Sequence, residues 1–347
     1  MNKPTLTRVD ELVAAGFVAP EAAQALEEVG ARYAIAVSET VAALIDRADP
    51  ADPIARQFIP DAAELMTAPE ELADPIGDAA LSPVDGIVHR YPDRVLLKLL
   101  HACPVYCRFC FRRESVGPGG ATHLTPAALD RAFGYIAAHD EIFEVILTGG
   151  DPLILSLRRL EEIFDRLRQI THVKIVRIHT RVPVVAPALV TEGLAALLRK
   201  ADKAVYVALH ANHPRELTDA AKAACTRLID AGIPMLSQSV LLRGVNDDAE
   251  TLAALMRGFV ALRVKPYYLH HPDLARGTGH FRLSIAEGQK LVAALRGKLS
   301  GLCQPHYMLD IPGGFGKVPI EGAMAEADGR YRLRDFRGMT HLYPPEA

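Results

Sequence analysis

The sequence predicts an α/β fold: a partial (β/α)6 barrel over residues 81–300, with a mainly helical N-terminal extension over 1–80 and a C-terminal segment over 301–347. Three observations carry that reading. From residue 94 onward, short apolar stretches alternate with amphipathic ones, the rhythm of parallel strands joined by right-handed helical crossovers. Six such units can be counted, too few for a closed eight-fold barrel. The first 60 residues lack the alternation: Ala, Leu and Glu dominate 11–14 and 20–38, a helical composition, and Asp49-Pro50 and Asp52-Pro53 break it.

In chain order, 1–7 reads as a loose end, and 59–80 as a polar, proline-interrupted lead-in with a short helix near 69–72. The first strand is 94–100, and a cysteine-rich loop follows it. Thr125-Pro126 is an N-cap with proline at the first helical position, after which Leu129, Phe133 and Ile136 share a face. The second strand, 143–147, leads into Gly149-Gly150-Asp151, and 156–170 is a helix with Leu157, Leu160, Phe164 and Leu167 along one side. Strands at 173–178, 204–209, 234–241 and 264–269 follow, with helices at 187–200, 214–231 and 248–262 between them. A last helix over 286–299 precedes 307–310 and a glycine-rich loop. In barrels of this kind chemistry gathers where loops leave the C-terminal ends of strands. The cysteines, 149–151, His210, Gln238 and Asp273 all fall at such ends.

Composition narrows the class. Of the 347 residues, 50% are hydrophobic and 23% charged, with a net charge of −3, as in a soluble globular protein. No basic surplus points to a nucleic-acid or membrane-surface partner. Arg8, Asp10 and Glu11 precede any apolar run, so no secretory leader is read, and no stretch reaches the roughly eighteen apolar residues of a membrane span. Five cysteines, three of them crowded together, suit a reducing compartment rather than a disulfide framework; the expectation is a cytoplasmic protein.

The crowded thiols are Cys103, Cys107 and Cys110, a Cys-x3-Cys-x2-Cys pattern. Three thiolates are too few to close a tetrahedral structural site, but they can hold three irons of a [4Fe–4S] cluster and leave the fourth open to a small ligand. A zinc knuckle completed by His101 or a distant residue is the other reading. Phe109, just before the third cysteine, either shields such a cluster or simply packs. Gly149-Gly150-Asp151 is by itself a common turn, although paired glycines let a backbone approach a ligand closely and offer carbonyls to an ammonium group. Pro312-Gly313-Gly314-Phe315-Gly316-Lys317 departs from a phosphate-binding loop in its glycine spacing and in having no Ser or Thr after Lys317. It reads instead as a plain loop lysine or as one freed to form a Schiff base with pyridoxal phosphate (PLP). Asp273 and Asp310 read as turn or N-cap residues, or as a converging pair that holds a substrate ammonium. Arg90, Arg94 and Arg112 are suited to forked binding of carboxylate or phosphate, or to surface ion pairing.

Taken together these motifs resemble the lysine 2,3-aminomutase family of radical S-adenosylmethionine (SAM) enzymes, whose signature is this cysteine spacing. The similarity includes His89-Arg90-Tyr91-Pro92-Asp93-Arg94, the cysteine loop with Arg112-Arg113, Gly149-Gly150-Asp151 and Asn212-His213-Pro214. It continues through Gln238-Ser239-Val240-Leu241-Leu242-Arg243-Gly244-Val245-Asn246-Asp247, Pro266-Tyr267-Tyr268, Asp273-Leu274 and the stretch from Asp310 to Lys317. The resemblance implies that the partial (β/α)6 barrel is a radical SAM barrel. It implies a [4Fe–4S] cluster on Cys103, Cys107 and Cys110, and SAM near Gly149, Gly150, Asp151, His210 and Gln238. PLP would sit on Lys317, with Arg90, Tyr91 and Arg94 around its phosphate. Arg112 would take the substrate carboxylate, and Asp273 with Asp310 the side-chain ammonium of lysine. The implied reaction is an isomerisation in which a deoxyadenosyl radical borrows the β-hydrogen, the amino group shifts, and the hydrogen returns.

Some members of the family carry a C-terminal zinc site. Here no cysteine follows Cys303, and Asp248 stands where those members have cysteine, so no zinc is expected. The compact length is similar to the branch that makes β-lysine for elongation factor P, and arginine is a further candidate substrate. A non-catalytic zinc-binding protein is the alternative from another class. An unidentified low-potential electron donor and a homo-oligomer complete the expected partners.

Overall fold

The computed structural model describes residues 5–117 and 122–345. Its framework is a nine-stranded sheet whose strand order follows the chain. The strands are β1 (Ile87–Tyr91), β2 (Arg94–Leu100), β3 (Glu144–Gly149), β4 (Ile175–Thr180), β5 (Ala204–His210), β6 (Met235–Val240), β7 (Val264–His270), β8 (His306–Ile311) and β9 (Gly316–Pro319). β2 to β8 run parallel, and antiparallel strands β1 and β9 finish the two edges. All six expected strands are present, with ends moved by one or two residues. A seventh parallel strand, β8, was expected only as a stretch after the sixth unit. The sheet therefore runs across residue 300, and the segment 301–347 contributes β8 and β9 to it.

Alternation along each strand sorts the side chains. Val145 and Leu147, Val176 and Ile178, and Val207 and Leu209 are buried in the apolar core. The pairings Lys98↔Thr148, His179↔Ala208, His210↔Gln238, Val240↔His270, His270↔Met308 and Asp310↔Lys317 put the polar residues on the opposite, inner face. Helices with threonine, serine or aspartate caps cover the outside: Pro126–Ala137, Leu157–Gln169, Glu192–Arg199, Asp219–Asp230, Ala249–Ala261 and Ile285–Leu295. Leu129, Phe133 and Ile136 are buried as expected. Leu157 is exposed instead, and Ile163 takes its place beside Leu160, Phe164 and Leu167. Asp248 caps the helix Ala249–Ala261 through the backbone N–H groups of Glu250 and Thr251.

The extension consists of short helices at Val9–Ala14, Ala23–Arg32, Glu39–Ala42 and Pro53–Phe58. Asp52-Pro53, read as a breaker, starts the last of these: Asp52 caps it and proline occupies its first turn. No helix forms at 69–72; Leu72 makes a parallel bridge to Ala275, and its N–H bonds Leu274 O at 2.7 Å. Of the expected loose end 1–7, residues 1–4 lie outside the described residues, while Leu6 pairs with Val37. At the far end β10 (Tyr331–Arg334) and β11 (Thr340–Tyr343) form a hairpin, and Phe336 from its turn lies 5.1 Å from the Tyr91 ring. Among the described residues no helix is long and apolar enough to cross a membrane.

Candidate active site

The cysteine loop leaves the C-terminal end of β2, and the end of β3 holds its base. Gly150 N–H bonds Leu100 O at 2.6 Å and Asp151 N–H bonds Ala102 O at 2.9 Å. A Cβ on Gly150 would stand 2.0 Å from Ala102 O, so only glycine permits this approach. The extension braces the far side, with Tyr106 N–H on Ala36 O at 3.1 Å and Arg108 N–H on Gln57 O at 2.8 Å. Cys103, Cys107 and Cys110 carry free thiols, and the other two cysteines, Cys225 and Cys303, are buried in the apolar core away from the loop. Burial pushes the Cys103 thiol well up and the Cys110 thiol up to about 11, so iron displaces protons when it binds there. Three soft ligands with no fourth cysteine in the loop fit a [4Fe–4S] cluster with one open iron.

Beyond the cysteines, the Asp151 carboxylate is spent within the protein. It accepts from Thr180 Oγ1 at 2.7 Å, Arg181 N at 2.7 Å and Leu153 N at 3.1 Å, tying the end of β3 to the end of β4. What 149–151 presents toward a ligand is therefore backbone. His210 is different. Its Nε2 is buried without a partner among the described residues, and its ring stacks on Phe109 with centroids 5.7 Å apart. Burial, with Arg181 next in effect, holds the imidazole well below its usual range and so neutral. An orphaned buried nitrogen beside the cysteine loop fits a polar ligand such as SAM. Gln238 faces the same lumen, with Nε2 3.4 Å from His179 Nε2.

The second half of the site lies where the two edges of the sheet meet. Gly316 has φ of +96° and comes so close to Tyr91 that an added Cβ would stand 3.0 Å from its hydroxyl. Lys317 N–H bonds that hydroxyl at 2.7 Å, and its ammonium pairs with Asp310. Asp310 also accepts from Arg90 Nη1 at 3.2 Å. Burial raises its carboxyl, but Lys317 and Arg90 outweigh burial and leave it lowered. Asp273 has no hydrogen-bond or ion-pair partner among the described residues. Burial first, then Asp310, push it up to about 7. Neither aspartate is a cap: Asp310 lies in β8 and Asp273 in the loop after β7.

Arg112 reaches back from the cysteine loop toward the same lumen, bonding Asp78 Oδ2 at 2.8 Å and Thr148 Oγ1 at 3.4 Å. Arg94 lies over the Tyr91 ring at 3.7 Å, and Phe336 takes another side of that ring. Arg90, expected beside a phosphate, shares the Asp310 carboxylate with Lys317. It is buried and committed to Asp310, to Ile76 O at 2.5 Å and to Asp78 at 3.5 Å. Lys317, whose backbone meets the Tyr91 hydroxyl, and Arg94, which lies over the Tyr91 ring and pairs with Asp93 at 2.6 Å, fit an aldehyde cofactor with an anionic group.

Several residues that organise the site carried no signal in the sequence. Glu64, fully buried, bonds Arg108 at 2.6 Å and pairs with Arg113, so the extension clamps both arginines flanking the last cysteine. Arg181, at the end of β4, bonds Cys107 Sγ at 2.9 Å. Gln57, Asn212, Glu216 and Asp78 join these networks. Asn212-His213-Pro214 was singled out only through the resemblance. Its local role is visible here: Glu216 receives the Asn212 and His213 N–H groups at 2.8 and 2.9 Å.

Comparison with known proteins agrees with this architecture. Residues 97–256 match the Radical SAM superfamily. The fold and the cysteine loop thus define a radical SAM enzyme, with a [4Fe–4S] cluster and SAM as its reagents. The chain is 41% identical over 311 residues to the L-lysine 2,3-aminomutase of Clostridium subterminale, covering 89% of this chain and 74% of that one. It is 35% identical to the Escherichia coli L-lysine 2,3-aminomutase, covering 83% and 84%. It is 37% identical to the glutamate 2,3-aminomutase of Clostridioides difficile, covering 91% and 74%. The protein belongs to the lysine 2,3-aminomutase family and is an isomerase.

Proposed function

We propose that the enzyme is an L-lysine 2,3-aminomutase, moving the α-amino group of L-lysine to the β-carbon, with PLP carried on Lys317. When bound, the cluster and SAM would supply a carbon radical that takes hydrogen from an unactivated C–H bond, and PLP would supply the aldehyde carbon that holds the nitrogen while it passes from the α- to the β-carbon. The protein's own part is placement. Arg112 takes the substrate carboxylate through donors that Asp78 and Thr148 leave free, while Asp78 holds the guanidinium in its plane. Asp310 and Asp273 take the side-chain ammonium by charge-assisted hydrogen bonds. His179 and His270 line the lumen as neutral imidazoles, since burial first and then neighbouring cations disfavour their charged forms, and they add no positive charge to repel that ammonium.

One observation carries the choice of lysine. Asp310 already accepts a primary ammonium, that of Lys317, while Asp273 has no cation within ion-pair distance among the described residues and is held up to about 7 by burial and by Asp310. A basic side chain supplies that charge; a glutamate side chain would add a third carboxylate and be repelled. The test is anaerobic reconstitution with iron, sulfide and PLP, followed by SAM, a reductant and lysine, arginine or glutamate in parallel. β-Lysine from lysine, with far less product from the other two, is the expected result. Turnover of glutamate in preference to lysine would overturn the assignment.

A further inference from the structure

We propose that Arg181 sets the reduction potential of the cluster by donating a charged hydrogen bond to the Cys107 sulfur from a guanidinium that its surroundings hold in place. The proposal rests on the cluster site of Cys103, Cys107 and Cys110 and adds to it a positioning residue outside the cysteine loop. Arg181 Nη1 lies 2.9 Å from Cys107 Sγ. Its Nη2 is held by Gln57 Oε1 and Glu216 Oε2, each at 2.6 Å. Phe58 and Phe109 lie against the guanidinium at 4.6 and 5.5 Å. Its backbone N–H is tied to Asp151 at 2.7 Å, and the whole residue is buried. Rotation away from the sulfur would break both Nη2 bonds at once.

The other two thiols have neutral donors, the backbone N–H of Asp151 for Cys103 and that of Arg112 for Cys110. Cys107 alone among the described residues has a charged side chain on its sulfur. Reduction adds one electron from an external low-potential reductant to the cluster and takes up no proton, so the cluster becomes more negative by one unit. A fixed cation at a ligand sulfur, in a pocket of low dielectric, favours that reduced state. Glu216 offsets part of the charge, so the two residues act on the potential in opposite directions.

The experiment is a potentiometric titration of the reconstituted holoenzyme with dithionite. The electron paramagnetic resonance signal of the reduced cluster is followed, and iron and sulfide are assayed in the same samples. Arg181→Gln is expected to move the midpoint to more negative potential, Glu216→Gln to less negative potential, and Arg181→Lys to a value between Arg181→Gln and wild type. Wild-type midpoints in Arg181→Gln and Glu216→Gln at full iron content would overturn the proposal. If Arg181→Gln takes up no iron, Glu216→Gln decides, and a midpoint unchanged or moved downward there overturns it. Loss of iron from both variants in folded protein also overturns it, because Arg181 would then assemble the loop rather than tune it. Wild-type protein that binds no iron and sulfide would instead remove the cluster site itself.

Discussion

Burial and the neighbouring Asp310 push the Asp273 carboxyl up to about 7, so near neutral pH it exchanges a proton for a cation. The folded state holds a proton that the unfolded chain has already released, so this group lowers stability as pH rises toward 7 in the absence of ligand. A cationic substrate reverses that loss. The KM for lysine is therefore expected to rise as pH falls below about 7. Asp273→Asn should flatten that dependence and raise KM roughly 10- to 100-fold, the loss of a bond worth about 1.5–3 kcal/mol. A pH profile of kcat/KM for both proteins measures it. At this scale the sequence was legible in patches. The cysteine spacing names its own chemistry. Asp273 and Asp310 could be read as a converging pair, but each alone looks equally like a turn residue, and only the resemblance chose between the two. Arg181 could not be read, because its partners Cys107, Gln57 and Glu216 lie 74, 124 and 35 residues away.

At the ends of β2 and β3 the backbones approach so closely that the base of the cysteine loop depends on a glycine. Gly150→Ala would drive a methyl group into the Ala102 carbonyl, an overpacking cost of about 1–3 kcal/mol. The loop should shift before the fold fails. The expected outcome is a lower iron content per chain, by iron assay, with the far-ultraviolet circular dichroism of the wild type. Elements with a period were read well: strand ends came out within about two residues, while the helices expected from 187 and 214 begin at Glu192 and Asp219, each after a separate short turn at the proline. Those without one were not. β8 is buried along nearly its whole length, and β9 has only four residues, one glycine and one proline among them. The helix expected at 69–72 gave way to a tertiary bridge with Ala275, which no local pattern announces.

Across the whole molecule, Glu64 is the point where the extension, the cysteine loop and the loop after β7 meet. It holds Arg108 and Arg113, and Arg113 also reaches Gly277 O at 3.1 Å. Glu64→Ala would leave two buried arginines without their carboxylate, a cost of about 3–5 kcal/mol. Denaturant unfolding of the iron-free protein should show that loss, and the variant should also bind iron poorly. Composition read residues 1–80 as an appended helical extension, whereas their function as a brace depends on contacts that only folding creates. The seam between the sheet edges has a consequence for biosynthesis. Tyr91 and Lys317, which meet there, are 226 residues apart, and Arg90 and Asp310 are 220 apart. Glu216, by contrast, completes the network around Cys107 about a hundred residues before Lys317 is added. In a chain made from its N-terminus, the residues that surround the Cys107 sulfur are therefore all present long before the seam that holds Lys317 can close.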